Sequence, residues 1–139
     1  MGYAYRVAEA ADIPAMMTIR NSVRENALVS LVIGPDEYVR AMAEGKAWVC
    51  TDDGVVVGFA FVRPQRRDVW ALFVDAAHEG RGIGGALMDL AEAWMFEQGV
   101  DEIELTTAAG TRAERLYRRR GWTFEGYAPH GDMRFTLRR

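Results

Sequence analysis

The residues whose types and spacing could do chemistry stand in the run HEGRGIGGALM, His78 to Met88. Four glycines, Gly80, Gly82, Gly84 and Gly85, fall within six positions and lead straight into an apolar helical pattern. The first amides of a helix have no internal acceptor and carry the positive end of its dipole. Glycines there remove the Cβ atoms that would hold an anion at a distance. The spacing Gly80-x-Gly82-x-x-Gly85 also matches the dinucleotide fingerprint, but Asp75 to Glu79 separate it from the preceding strand and the strands upstream read as hairpins, against a Rossmann unit. No Gly-Lys-Ser/Thr closes the run, which excludes a P-loop. Two readings remain: a pyrophosphate held on backbone amides, or a turn needed for tight packing alone.

The elements that must position this loop emerge from pattern. Tyr3–Ala8 reads as a short strand, and Asp12 as an N-cap with Pro14 in the first turn of a helix to about Val23. Arg24–Gly34 has no clean period and is taken as a loop. Pro35–Ala43 predicts a short helix stopped by Gly45. Strands are expected at Lys46–Thr51 and Val55–Val62, joined by the hairpin turn Asp52–Gly54, and at Asp68–Val74 after a turn at Pro64–Arg67. The strand Asp68–Val74 is apolar through most of its length and is expected to be buried on both faces. After the glycines, Ile83, Leu87, Leu90 and Trp94 form one helical stripe ending near Gly99. A strand at Asp101–Thr107, a helix at Thr111–Arg120 stopped by Gly121, and strands at Trp122–Tyr127 and Met133–Leu137 complete the chain. The fold class is therefore α/β (or α+β), with one mixed sheet and helices on both faces.

At 139 residues, with 50% hydrophobic and 27% charged residues, the chain reads as one soluble domain spanning 1–139. A net charge of −3 argues against a nucleic-acid coat protein. The single cysteine, Cys50, lies in WVCT with no histidine nearby and reads as a small hydrophobe rather than a nucleophile. One cysteine, no signal-like apolar run at the start and no membrane-length segment suggest a cytoplasmic protein. His78 and His130 offer no metal-ligand spacing, so no metal is expected.

The stretch ALFVDAAHEGRGIGGALM resembles the cofactor-binding motif of the GNAT N-acetyltransferases, and TRAERLYRRRGW resembles that family's second signature through Ala113, Tyr117, Gly121 and Trp122. The resemblance extends over nearly the whole chain, because the order of elements is also the family's. It implies a mostly antiparallel sheet splayed at the cofactor site. It further implies acetyl-CoA (with CoA as product), held on the amides of Glu79, Gly80, Arg81, Gly82, Ile83 and Gly84, with its pantetheine arm along Leu72, Phe73 and Val74. Tyr117 matches the family's proton donor to the departing thiolate, and Asp68 holds a position where some members carry a general base. A backbone amide near Phe73 or Val74 would stabilise the oxyanion. The chain departs from the family at Glu79, where Gln or Arg is usual, at Leu105, and at Gly110, where an asparagine is common. The Glu79 side chain is expected to face solvent, with Arg81 supplying positive charge.

By the same resemblance the acceptor pocket draws on Arg24, Glu25 and Asn26, on Trp70, and on His130 and Arg134. These suit the primary amine of a small molecule or a peptide, with direct transfer in a ternary complex. No nucleic acid or membrane is expected as partner, and a homodimer through the last hairpin is open. The arginines Arg112, Arg115, Arg118, Arg119 and Arg120 read as a solvated helix face, with Glu114 paired to Arg118, and one of them, which the sequence does not single out, could reach a CoA phosphate. A non-catalytic acyl-CoA sensor is the alternative function.

Overall fold

The computed structural model describes residues 2–22 and 33–139. Strand β1 (Tyr3–Val7) leads through a 3-10 turn, Ala10–Asp12, into α1 (Ile13–Ser22). Asp12 is not a cap of α1. Its carboxylate accepts the Glu9 amide (2.7 Å) and both prongs of Arg6 (2.8 Å each), which ties the turn to β1. Helix α2 (Pro35–Glu44) ends at Gly45, where an added Cβ would lie 1.8 Å from the Val62 carbonyl oxygen. Only glycine lets the chain turn that close to its neighbouring strand.

Strands β2 (Lys46–Asp52) and β3 (Val55–Arg63) form the expected hairpin, with Asp53 and Gly54 at φ 50° and 84°, the backbone a tight two-residue hairpin needs. After a 3-10 turn at Pro64–Arg66 come β4 (Asp68–Val74), α3 (Ile83–Glu97) and β5 (Glu102–Thr107), then α4 (Arg112–Arg119), β6 (Thr123–Tyr127) and β7 (Met133–Arg138). The seven strands form one sheet in the order β1-β2-β3-β4-β5-β7-β6. All neighbours are antiparallel except β4 and β5, which the α3 crossover makes parallel.

Two apolar layers hold the sheet. Ile13, Met16, Ile19, Tyr38 and Ala41 of α1 and α2 pack on Val49, Phe59, Phe61 and Ala71. On the opposite face Ile83, Leu87, Met88, Ala91 and Met95 of α3 pack on Cys50, Ala60, Val62, Ile103 and Phe135. The buried stripe of α3 thus differs from the expected one: Leu90 is 36% exposed and Trp94 only partly covered, because Met88, Ala91 and Met95 face the sheet instead.

Strand β4 is irregular along both of its edges. Val62 pairs with Val69 and Phe61 with Ala71, so Trp70 between them is a bulge with no partner on β3. On the other edge β4 meets β5 at one registered pair, Asp68 and Glu104, beside a bond from the Glu104 amide to the Arg67 carbonyl (2.8 Å). Beyond that rung β5 runs along β7 and leaves β4 unpaired. Hence Leu72, Phe73 and Val74 are only partly buried, which corrects the expectation of a strand covered on both faces. No helix among the described residues is long and apolar enough to cross a membrane.

Candidate active site

Where β4 and β5 part, a cleft of about 180 Å³ opens against the start of α3. Leu72, Phe73 and Val74 form its β4 wall, and Gly80, Gly82, Ile83, Gly84 and Gly85 its floor. The opposite wall comes from α4, through Arg112, Ala113, Leu116 and Arg119.

The glycine loop has the backbone that anion binding requires. Gly80 and Gly82 have φ of 78° and 81°, and Gly82 is the N-cap from which α3 starts. The first turn of α3 closes with the Ala86 amide donating to the Gly82 carbonyl (3.0 Å), so the amides of Ile83, Gly84 and Gly85 have no helical acceptor. A Cβ at Gly80 or Gly82 would meet no protein atom within 4 Å, whereas one at Gly84 would come to 3.2 Å from Leu116. The glycines therefore keep space open on one side and let α4 approach on the other. The Glu79 amide is already spent, donating to Ala76 at 3.4 Å.

Charges around the cleft depart from expectation in two places. Glu79 does not turn to solvent; its carboxylate lies 3.5 Å from Arg112 and is about one-third exposed. Arg81 does not line the cleft. It donates to the Tyr3 hydroxyl (3.3 Å), which is also hydrogen-bonded to Nδ1 of His78 (2.9 Å). Of the arginines on α4, Arg112 and Arg119 line the cleft, as does His78, for which the residue pattern predicts no binding role. Helical spacing explains the choice: three to four residues separate positions on one helix face, so Arg112, Arg115 and Arg119 fall together.

Tyr117 lies on α4 next to the lining residue Leu116 but is itself 4% exposed, between Trp122 (ring centroids 5.7 Å apart) and Phe135 (6.2 Å). Burial, and then the charge of Glu92, push its pKa well above the ordinary tyrosine value, so it stays protonated. Glu92 also accepts from Arg120 (2.8 and 2.9 Å) and from Nε1 of Trp122 (3.0 Å). Arg120 reaches Asp89 and the Gly85 carbonyl as well, locking α4 onto α3. Glu114 pairs with Arg118 at 2.8 Å as expected and accepts the Gly110 amide ahead of α4 (2.7 Å), while Thr111 caps the helix by accepting the Glu114 amide (3.2 Å).

Asp68 lies outside the cleft. Both of its oxygens accept from the Arg63 fork, at 3.0 and 2.6 Å, and the pair is largely covered. The structure thus makes Asp68 a clamp across the β3–β4 turn and does not bring the expected general base into the cleft.

The acceptor residues are brought together only in part. Trp70 faces the α1–α2 side, against Tyr38 (5.3 Å) and Phe61 (5.2 Å). Arg134 pairs with Glu104 across β7 and β5 (3.2 Å), and exposed His130 pairs with Asp132 in its own turn (3.3 Å). Arg24, Glu25 and Asn26 lie outside the described residues. Cys50 is buried, and burial raises its thiol pKa, the opposite of nucleophile activation.

Comparison with known proteins agrees with this arrangement. Residues 16–122 match the family model described as the acetyltransferase (GNAT) family. L-2,4-diaminobutyric acid acetyltransferase of Streptomyces avermitilis is 44% identical over 72 residues, 47% of this chain and 40% of that protein. Mycothiol acetyltransferase of Propionibacterium freudenreichii subsp. shermanii is 39% identical over 88 residues, 55% of this chain and 28% of that protein. The chain thus matches less than half the length of either relative. Among solved structures, the PaiA N-acetyltransferase of Thermoplasma acidophilum in complex with coenzyme A superposes with a TM-score of 0.84 at 15% identity, covering 100% of both chains. The ribosomal-protein-S18-alanine N-acetyltransferase of Escherichia coli gives 0.79 at 17% identity, covering 99% of this chain and 94% of that one. At such identities the structures speak for the fold, and the family match speaks for descent. The chain belongs to the GNAT acetyltransferase family.

Proposed function

We propose that this protein transfers an acetyl group from acetyl-CoA to the primary amine of a small molecule or peptide. The observation that carries the reading is the set of open amides at the start of α3, Ile83 to Gly85, at the floor of a cleft where β4 has lost its neighbour. Donors without acceptors at a helix N-terminus suit a pyrophosphate. The unpaired edge of β4 at Leu72 to Val74 offers backbone partners to an extended amide-bearing arm. His78, Arg112 and Arg119 at the rim suit further phosphate charge.

Acetyl-CoA, when bound, supplies an acetyl group activated as a thioester. The chain's part is to hold, orient and manage protons. The amides of Gly80 to Gly85 hold the anionic end, while Leu72, Val74 and Leu116 exclude water from the arm. A β4 amide at Phe73 or Val74, freed from β5, serves as oxyanion donor. Tyr117, whose proton burial holds more tightly than an ordinary tyrosine's, lies on the helix that walls the cleft. The proton leaving the amine goes to solvent, since Asp68 is held by Arg63. The single buried thiol, Cys50, supports a reducing, cytoplasmic setting.

The test is thermal. Acetyl-CoA should raise the melting temperature by mass action, and Gly82→Val should abolish that rise while the domain still folds. Stabilisation by NADH or ATP with none from acetyl-CoA would overturn the reading. Thiol release against a panel of amines separates an enzyme from an acyl-CoA sensor, which would show the thermal shift alone.

A further inference from the structure

Arg20 is a cation on the sheet-facing side of α1, held over aromatic rings and paired with no carboxylate among the described residues. On α1 it follows Met16 by four residues and Ile13 by seven, so it shares the stripe that packs on the sheet. Its guanidinium lies over Phe73 (4.9 Å) and Trp70 (5.6 Å) of β4. Its Nη1 is buried without a hydrogen-bond partner, and no carboxylate pairs with it among the described residues. Arg63, which approaches Trp70 at 5.7 Å, is by contrast held by Asp68.

Tyr38 completes the arrangement from α2. It is fully buried, in edge contact with Trp70, and its hydroxyl also lacks a partner. Burial raises the pKa of that hydroxyl, and both the charge of Arg20 and its approach as a donor to the phenol oxygen oppose the rise, so the two polar heads are neighbours and the phenol O–H is left to face a ligand; Glu37 on the same helix adds a weaker upward push. Buried donors left unmet are expensive, and a folded chain retains them where a ligand meets them. A guanidinium nitrogen and a phenol hydroxyl among aromatic rings present donors for one monovalent, planar anion. The place is specific as well. Trp70 is the bulged residue of β4, and Phe73 lies at the gap, with its ring on the face opposite the α3–α4 cleft.

We propose that Arg20 and Tyr38 bind the carboxylate of the acceptor, so that the amine acetylated belongs to a free amino acid reaching the gap from the α1–α2 face. This rests on the acetyl-transfer reading above. It selects within it, against peptide N-termini and polyamines.

The experiment compares free amino acids, 2,4-diaminobutyrate among them, each beside its carboxamide, which keeps the amine and removes the charge. Wild type should favour the carboxylate of its best acceptor by about 10- to 100-fold in kcat/KM, mainly through KM, the range of a charged hydrogen bond. Arg20→Met should collapse that ratio, Tyr38→Phe should reduce it less, and Arg20→Lys should fall between. In parallel, the same acceptors are titrated into the CoA-saturated protein and followed by tryptophan fluorescence, with melting temperatures recorded for each variant. Arg20→Met should leave the melting temperature within a few degrees of wild type, because the apolar side chain keeps the contact with the rings and removes one buried nitrogen that had no partner. A fall in melting temperature with equal losses on acid and amide would make Arg20 structural and overturn the proposal. So would a wild type indifferent to the carboxylate in both turnover and binding. If no amine releases thiol, the acetyl-transfer reading fails by itself, and Arg20-dependent binding in the fluorescence titration still decides this inference.

Discussion

Removing the hydroxyl of Tyr117 separates stability from turnover in a way few substitutions can. Its ring is fixed between Trp122 and Phe135, and Phe fills the same space less one oxygen. Tyr117→Phe therefore keeps the packing of a residue that is 4% exposed and removes one oxygen. The change in stability should stay within about 1 kcal/mol of wild type. For a domain of this size that is at most roughly 3–4 °C in melting temperature. If the hydroxyl donates the proton that the leaving thiolate needs, turnover falls by about 10²–10⁴ while affinity for acetyl-CoA holds. The sign of the pH effect comes from the raised pKa. The neutral form is favoured in the folded state, so its stabilisation is complete below the ordinary tyrosine value of about 10 and is lost as pH rises beyond it. Wild type should therefore weaken at strongly alkaline pH more than the Phe variant does. Calorimetry, thiol release and the acetyl-CoA thermal shift measure the three quantities. A variant that turns over at the wild-type rate would refute the reasoning and leave Tyr117 as core packing.

Other perturbations test the supports of the site. Asp68→Asn should leave a pH–rate profile parallel to wild type and lower stability by roughly 1–2 kcal/mol through loss of the Arg63 fork; a rate that recovers only as pH rises would restore the base role. Arg120→Met leaves Glu92 with the Trp122 indole and should cost about 2–4 kcal/mol in urea unfolding; a loss within measurement error would show that the α3–α4 clamp is ornamental. Hydrogen bonds from Arg6, and then from the Glu9 amide, hold the Asp12 carboxyl below its usual range. Its stabilisation is therefore present above the ordinary carboxylate value and is lost as pH falls through its lowered one. Asp12→Asn should thus cost up to about 1 kcal/mol near neutrality, and the gap to wild type should close in acid, read from urea midpoints.

Much of the fold was legible because local rules and tertiary structure agree. The Asp53–Gly54 turn, the stop at Gly45 and the alternation of Ile103 and Leu105 each specify their element without outside help. The glycine loop was legible for the same reason, since open amides at a helix start are a property of the backbone. What stayed hidden depends on neighbours distant in sequence. The bulge at Trp70 shows only in the pairing of β3 with β4, and the loss of cover over Leu72 to Val74 only in the single rung to β5. Asp68 looked free because Arg63 reaches it across a 3-10 turn, which no periodicity reports. Arg20 did leave a sign: an arginine at helical spacing from Ile13 and Met16, on the apolar face of its own helix.

The lone rung between Asp68 and Glu104 has a consequence for how the molecule comes apart. Along the sheet it divides a four-stranded part, β1 to β4, from a three-stranded part, β5, β7 and β6, and the apolar layer under α3 is what chiefly joins them. Such a seam is where cooperativity is weakest, so the two parts can open as separate units in amide exchange. A ligand lying in the gap touches β4, α3 and α4 together. It fuses two foldons into one, and the protection it confers reaches amides on β6 and β7 that it never contacts.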